Sequence, residues 1–336
     1  MVISTELTRR LAIEHPILLG AMDIVADARL VIAVTEAGGL GLLGGGYGEE
    51  GWLRRELGLL EAVRQARGTR FGVGFITWSL ARQPHLLTIA LAARPDAIWL
   101  SFGDPGPFIG PAKAAGIPVI CQVQSVAMAV DAVDKGADIV VAQGAEAGGH
   151  GVARGTFALV PAVVDAVGGQ AIVVAAGGVA DGRGLAAALM LGAQGVVLGT
   201  RLYASEEAAG HPAAKRRIVE ARGDETVRGV VFDILRRNLW PGPYTGRCLA
   251  NEVTRQWMGR ELELLRRGGE EADGYAAARA SGNFDIAAVI AGEAVDLIAD
   301  IRPAGAIVRQ IAAEAEALLA GGGSRTFGRP RAQAAE

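Results

Sequence analysis

The sequence predicts a (β/α)8 (TIM) barrel that binds a phosphate group and carries a mostly helical insertion after its eighth strand. Eight short apolar runs alternate with amphipathic stretches, as buried parallel strands and their covering helices do. Glycine clusters follow the last two runs, and the lone histidine His150 follows the run before them. Phosphate-binding loops after the final two strands are typical of such barrels.

The predicted elements follow each other in βα order along the first 200 residues. The strands are expected near residues 16–20, 40–44, 71–75, 97–101, 118–122, 138–142, 171–175 and 195–199. The helices are expected near residues 27–37, 49–66, 83–93, 107–115, 125–135, 157–167 and 182–191. Repeated βα units imply right-handed crossovers and a parallel sheet, and eight of them favour closure over an open sheet.

The character of the chain changes after residue 201. Charged runs and the absence of clear strand patterns predict a mostly helical substrate-side domain over residues 205–283. Helical periodicity returns over residues 284–320, so the barrel is expected to comprise residues 1–204 plus 284–322. The small, polar residues 323–336 predict a disordered tail.

Composition excludes several classes of function. The net charge is −3 and no basic stripe is present, which argues against nucleic-acid binding. The two cysteines form no CxxC pair, so the sequence favours a reducing cytoplasm over a disulfide framework or a zinc site. No apolar run reaches the roughly 18 residues of a membrane span, and residues 1–16 lack the apolar core of a signal peptide.

Two glycine clusters supply the candidate phosphate site. Gly177 and Gly178 follow the seventh predicted strand, and Gly199 and Thr200 follow the eighth. Glycines let backbone N–H groups approach phosphate oxygens, a helix N-terminus adds partial positive charge, and the Thr200 hydroxyl can donate a further hydrogen bond. Tight βα turns without a ligand are the alternative interpretation of these residues.

His150 is the candidate catalytic base. It is flanked by glycines in a loop at the expected catalytic end of the barrel, and a neutral imidazole suits proton abstraction at physiological pH. A loop histidine with only local hydrogen bonds is the alternative. Glu146 either orients His150 or faces water. No second histidine lies nearby in sequence, so no metal site is predicted.

Further candidates lie at the other strand ends. The small residues Gly20, Ala21 and Met22 leave the first strand and suit a flat ring laid across the barrel mouth. Gln122 and Gln143 each end an apolar strand with an amide that a ligand could bind. Four aromatic residues are candidates for the wall of a substrate pocket: Tyr47, Trp78, Trp240 and Tyr244. The motifs of P-loops, nucleophile elbows, zinc proteases and dinucleotide folds are not found.

In order and spacing, these motifs resemble the nitronate monooxygenase family, formerly called 2-nitropropane dioxygenases. The resemblance runs from about residue 7 to 320 and includes HPILLGAM, AEAGGHG, AAGGVADGRG, LGTR, WPGPYTGRCLANEV and AAVIAGEAVDLI. It implies a TIM-barrel flavoprotein with noncovalent FMN and a catalytic base at His150. The implied FMN contacts are Gly20, Ala21, Met22, Gln122, Gln143, Gly148, Gly177, Gly178, Val197, Leu198, Gly199 and Thr200. Many relatives have asparagine where this chain has Gly74, so one flavin hydrogen bond is expected to be missing or replaced.

The family's reaction is the oxidation of an alkyl nitronate by O2 to a carbonyl compound and nitrite. The expected partners are therefore a nitronate or nitroalkane and O2, with no nucleic acid or membrane, and a homodimer is the candidate assembly. The main alternative is an NAD(P)H-dependent FMN reductase of the same superfamily, either an enoyl-acyl-carrier-protein reductase or a quinone reductase. A non-catalytic phosphate-ligand-binding barrel and an IMP-dehydrogenase-like enzyme are weaker alternatives, the latter because neither cysteine lies in a catalytic loop.

Overall fold

A computed structural model describes residues 3–321 and confirms the predicted barrel. In chain order, the strands are β1 Ile17–Leu19, β2 Leu42–Gly44, β3 Gly72–Ile76, β4 Ala97–Ser101, β5 Val119–Val123, β6 Ile139–Gln143, β7 Gly149–Gly151, β8 Ile172–Ala176, β9 Val196–Leu198, β10 Thr226–Gly229 and β11 Thr245–Leu249. Eight of them form a parallel sheet in the order β1-β9-β8-β6-β5-β4-β3-β2. A parallel bridge between Leu18 and Leu40 joins its two ends, which closes the barrel.

Helices follow the barrel strands as the periodicity predicts. They are α1 Glu6–Leu11, α2 Ala28–Glu36, α3 Glu50–Arg67, α4 Thr77–Leu80, α5 His85–Ala92, α6 Gly106–Ala114, α7 Val126–Asp134, α8 Thr156–Val167, α9 Gly182–Met190, α10 Thr200–Tyr203, α11 Pro212–Glu220, α12 Val231–Leu235, α13 Glu252–Trp257, α14 Glu261–Arg267, α15 Gly269–Ser281 and α16 Ala304–Ala320. Short 3₁₀ helices span Gly223–Glu225 and Glu293–Leu297. Side chains of Asp27, Ser125 and Asp181 accept hydrogen bonds from backbone N–H groups at the starts of α2, α7 and α9, which fixes where these helices begin.

The core has two layers because successive strand residues face opposite sides of the sheet. Leu18, Trp99 and Val141 belong to a buried cluster that fills the barrel interior, and Leu7 and Leu11 of α1 pack into the same cluster. Ile17 and Leu19, the neighbours of Leu18, belong instead to the cluster between the sheet and the helices. Helix α1 therefore contributes to the interior packing. The carboxyl ends of the strands are followed by the glycine loops and by β7, which contains His150.

Helix α16 completes the outer ring. It packs against α9 and α2, which places it between the last and the first βα units. Residues 284–303 are less regular than their periodicity predicts, since they contain only the 3₁₀ helix at Glu293–Leu297. The α-helix starts directly after Pro303, whose fixed φ and missing N–H suit a helix boundary rather than a helix interior.

Residues 205–283, here called the insertion, are not only helical. Strands β10 and β11 lie within them and pair antiparallel with β7, in the order β10-β11-β7. The sequences TVRG and TGRCL are short and polar, so they carry no strand pattern of the kind that buried barrel strands show. The predicted tail at residues 323–336 lies outside the described residues. No helix in residues 3–321 has both the length and the apolar character needed to cross a membrane.

Candidate active site

His150 lies on β7, whose short pairing with β11 places Gly246 opposite it. Its neighbour Gly149 has a φ of +78°, a left-handed conformation that glycine adopts without the steric cost of a side chain. The Gln143 side-chain amide donates a hydrogen bond of 3.1 Å to the His150 carbonyl oxygen. The strand β7 is thus held on one side by β11 of the insertion and on the other by Gln143 at the end of β6.

Asp233 of α12 is the partner of the imidazole. Nε2 of His150 lies 3.0 Å from both carboxylate oxygens, and the two side chains are only 9% and 5% exposed. A carboxylate only accepts, so this contact assigns the ring proton to Nε2. Nδ1 then carries the lone pair, and it makes no hydrogen bond to any of residues 3–321.

Burial lowers the pKa of His150 below its usual value of 6.5, and the hydrogen bond and charge of Asp233 oppose that shift. The imidazole is therefore neutral at pH 7, with Nδ1 ready to accept a proton. This division of roles, with a buried carboxylate holding the tautomer and the other ring nitrogen acting as base, is the arrangement that general-base catalysis needs.

Sequence reasoning did not find Asp233, and the alternative that Glu146 orients His150 was wrong. Asp233 is 83 residues from His150, and a lone acid in a short helix carries no signal of that contact. Glu146 is half-buried and does not contact the histidine, since its carboxylate accepts 2.9 Å hydrogen bonds from the backbone N–H and the hydroxyl of Thr156 at the start of α8.

An aromatic wall covers the imidazole. The Trp240 ring stacks on it at 3.4 Å between centroids with an interplanar angle of 6°. The Trp240 indole N–H donates to the Tyr47 hydroxyl at 3.0 Å, and Trp78 and Tyr244 pack edge-on to Trp240. All four aromatic candidates from the sequence are therefore brought together beside His150.

Phe102 is an aromatic residue of this wall that the sequence analysis missed. Its ring lies 5.0 Å from Trp240 and 6.4 Å from His150. Its φ of +63° is unfavourable for a bulky side chain, and such strain is concentrated at functional sites. Its place directly after β4, at one of the strand ends where the other candidates lie, was the available signal.

Three glutamines meet at the ends of β5 and β6. The side-chain amides of Gln122 and Gln124 both donate hydrogen bonds of 2.8 Å to the side-chain oxygen Oε1 of Gln143. The structure thus joins the predicted Gln122 and Gln143 and adds Gln124. The buried Oε1 of Gln124 has no hydrogen-bond partner in residues 3–321, which leaves an acceptor that a ligand N–H could satisfy.

The glycine loops after β8 and β9 have the backbone geometry of an anion cradle. Gly177 and Gly178 have φ values of +99° and +75°. A Cβ added at Gly199 would meet no atom within 4 Å, so the backbone there faces open space. The Thr200 hydroxyl accepts a 3.0 Å hydrogen bond from the Gly292 N–H, which leaves its own O–H to donate.

The other predicted contacts differ in what they can present to a ligand. Leu198 is fully buried in the outer core, and the Met22 side chain packs against that core too, so these residues can offer backbone groups. Val197 packs in the barrel interior. Gly148 is packed against the backbone of residues 291–292, since a Cβ there would lie 2.6 Å from the Ala291 carbonyl carbon.

The close approach of Ala21 explains why position 74 is a glycine in this chain. A Cβ built on Gly74 would lie 2.3 Å from the Ala21 Cβ and 3.3 Å from the Trp99 ring. Gly20 donates a backbone hydrogen bond to the Leu198 carbonyl at 3.0 Å, which fixes the chain that carries Ala21. An asparagine side chain at position 74 therefore has no room in this chain.

Comparison with known proteins identifies the family. A family model described as nitronate monooxygenase matches residues 4–72 and 76–314. The chain belongs to the nitronate monooxygenase family. It is thereby identified as a flavin-dependent oxidoreductase. The break in the nitronate monooxygenase match at residues 73–75 falls on Gly74, where the sequence departs from the common pattern.

Individual relatives agree with this assignment. The chain is 37% identical to a nitronate monooxygenase of Metarhizium robertsii, over 91% of this chain and 92% of the relative. It is similar to the structure of FabK from Thermotoga maritima, with 33% identity, a TM-score of 0.83 and coverage of 95% and 98% of the two chains. A nitroalkane oxidase from Streptomyces ansochromogenes aligns with a TM-score of 0.79 at 26% identity, over 92% of this chain and 97% of that one.

Proposed function

We propose that this member of the family uses FMN and O2 to oxidise alkyl nitronates, or the parent nitroalkanes, to a carbonyl compound and nitrite. The observation that carries the proposal is the neutral His150, held by Asp233 with Nδ1 available, at the strand ends that also bear the glycine cradle. A base near an anion cradle is what a flavin enzyme acting on an acidic C–H bond requires.

The residues at the barrel mouth fit FMN. The backbone of Gly178 and Gly199 and the hydroxyl of Thr200 would hold the phosphate, because these groups combine left-handed or open backbone with a free donor. Gln122, Gln143 and the unpartnered acceptor of Gln124 would face the polar edge of the ring system. Gly20, Ala21, Met22, Gly148, Gly177, Val197 and Leu198 complete the proposed set. When bound, FMN supplies the redox chemistry.

The protein's own residues perform the proton chemistry. With a neutral nitroalkane, Nδ1 of His150 takes the proton of the carbon bearing the nitro group, and the C–H electron pair moves into that group to give the nitronate. Asp233 stabilises the imidazolium that forms and keeps Nε2 protonated. The aromatic wall around Trp240 excludes water from the ring. A substrate that arrives as the nitronate needs no proton removed, and the imidazole then orients the anion.

The decisive test is anaerobic reduction of the bound flavin. The purified protein is mixed without O2 with an alkyl nitronate or with NADH, and the visible flavin absorbance is followed. We expect the nitronate to bleach the flavin and NADH to leave it oxidised. Rapid bleaching by NADH alone would instead support the FMN reductase alternative.

Asp233→Asn is expected to lower kcat with neutral nitroalkanes by about 10²-fold, because the amide no longer fixes the productive tautomer of His150. We expect the acid limb of kcat/KM below pH 6.5 in the parent protein, and lower still in the variant, since Asp233 raises the pKa of His150 against the effect of burial. Asp224→Asn, at an exposed position, is the matched control. A purely structural role for Asp233 would leave the pH limb in place.

A further inference from the structure

A cavity of about 540 Å³ lies between α12 and α15, within the insertion. Its lining includes Arg236, Arg237, Tyr275 and Arg279, with Asp273 as its acidic member. The pocket is open to solvent on one side, and its volume is in the range of small-molecule sites. The residues that line the cavity therefore indicate which class of ligand it would bind.

The positive charges of the cavity are only partly compensated. Arg237 pairs with Asp273 at 2.9 Å. The Nε–H of Arg236 donates a hydrogen bond of 3.0 Å to the Tyr275 hydroxyl. Its two terminal NH2 groups have no hydrogen-bond acceptor in residues 3–321. The Arg279 guanidinium likewise makes no hydrogen bond or ion pair within the described chain. Two guanidinium groups thus remain available to an anion.

The cavity is linked to the candidate active site through α12, because Arg236 directly follows this helix and Asp233 within it contacts His150. Burial raises the pKa of Asp23, one residue after Met22, to about 6, and the charges of Arg279 and Arg236 act against that rise. The charge of Arg236 also acts on His150 and on Tyr47. Arg236 therefore connects the cavity to the candidate active site.

We propose that this cavity binds a phosphate-bearing small molecule, with the phosphate held between Arg236 and Arg279. A planar guanidinium group can donate two parallel hydrogen bonds to the oxygens of one phosphate. Two guanidinium groups therefore favour a phosphate or pyrophosphate over a single carboxylate. A nicotinamide dinucleotide and a coenzyme A thioester carry this chemistry. The binding measurement does not depend on turnover, so either proposal can fail without the other.

The test measures binding without turnover. Inorganic pyrophosphate, coenzyme A and NADPH are each titrated by calorimetry into the flavin-loaded protein at low salt, and the flavin absorbance is followed during the NADPH titration so that any reduction is separated from binding. We expect at least one of them to bind, with an affinity that falls as salt is raised. Arg279→Gln, at an exposed position, should weaken that binding roughly tenfold, the loss of one charge-assisted contact.

Arg216→Gln is the matched control, since Arg216 is exposed on α11 and does not line the cavity. It should leave the affinity within about twofold, while Arg236→Lys, which keeps the charge but loses the fork, should weaken it less than Arg279→Gln does. Tighter binding of NADPH or of coenzyme A than of pyrophosphate would identify the source of the phosphate. Binding of none of the three, or equal affinities for the parent protein and Arg279→Gln, would overturn the proposal.

Discussion

His150→Ala should lower turnover of neutral nitroalkanes by about 10²–10⁴-fold, the usual contribution of a general base. The flavin should stay bound, because none of the cradle groups at Gly178, Gly199 and Thr200 depends on the imidazole. Supplying the same substrate as its preformed nitronate should restore much of the rate, since no proton then has to be removed. Steady-state rates with the two forms of one substrate measure this difference.

The alanine variant also leaves the Asp233 carboxylate buried without its partner, and removal of one member of a buried pair costs about 3–5 kcal/mol of folding free energy. His150→Gln is therefore made in parallel, because its amide can still donate to Asp233 while it cannot act as a base. Flavin content and thermal unfolding of both variants separate a folding defect from a catalytic one. Parent-like turnover of the neutral nitroalkane by a folded variant would exclude His150 as the base.

Gly178→Val should abolish flavin binding. Valine is strained at a φ of +75°, and its side chain would occupy the space above the backbone that is proposed to contact the phosphate. Within the protein itself the added Cβ meets nothing closer than the Glu146 Cβ at 3.6 Å, so the fold has room for it. The visible absorbance of the purified variant relative to its protein absorbance measures flavin occupancy.

Gly168→Val is the matched control for that strain. Gly168 ends α8 with a φ of +52°, and a Cβ there would meet nothing within 4 Å, so valine imposes a similar backbone cost away from the cradle. We expect Gly168→Val to lose stability and keep its flavin. If Gly178→Val instead purified with full flavin, the phosphate would have to lie elsewhere.

The barrel was predictable from sequence because its signals are local. Each strand is a continuous apolar run, since both of its faces are buried, and each following helix repeats with its own period. The positions of His150 and of the glycine loops followed from strand order alone. The three-stranded sheet was not predictable, because β10 and β11 are short, polar and stabilised by pairing with β7.

The partners within the site were harder to predict than its positions. Asp233 and Phe102 reach His150 through tertiary packing, and neither lies in a pattern that distinguishes it from a surface acid or a turn aromatic. Gln124 was overlooked although it is two residues from Gln122, because side-chain direction after a strand end is set by the fold. Gly74 could be noted as unusual, but its reason, the Ala21 methyl, required coordinates.

The pairing of β7 with β11 has a consequence for how such enzymes diversify. The imidazole belongs to the barrel chain, whereas the carboxylate that orients it and the indole that covers it come from the insertion. A chimaera that exchanged residues 205–283 for the corresponding segment of a relative would replace the acidic and aromatic partners of its own His150. Specificity and basicity are therefore inherited together in this architecture, and neither can be transplanted as an independent module.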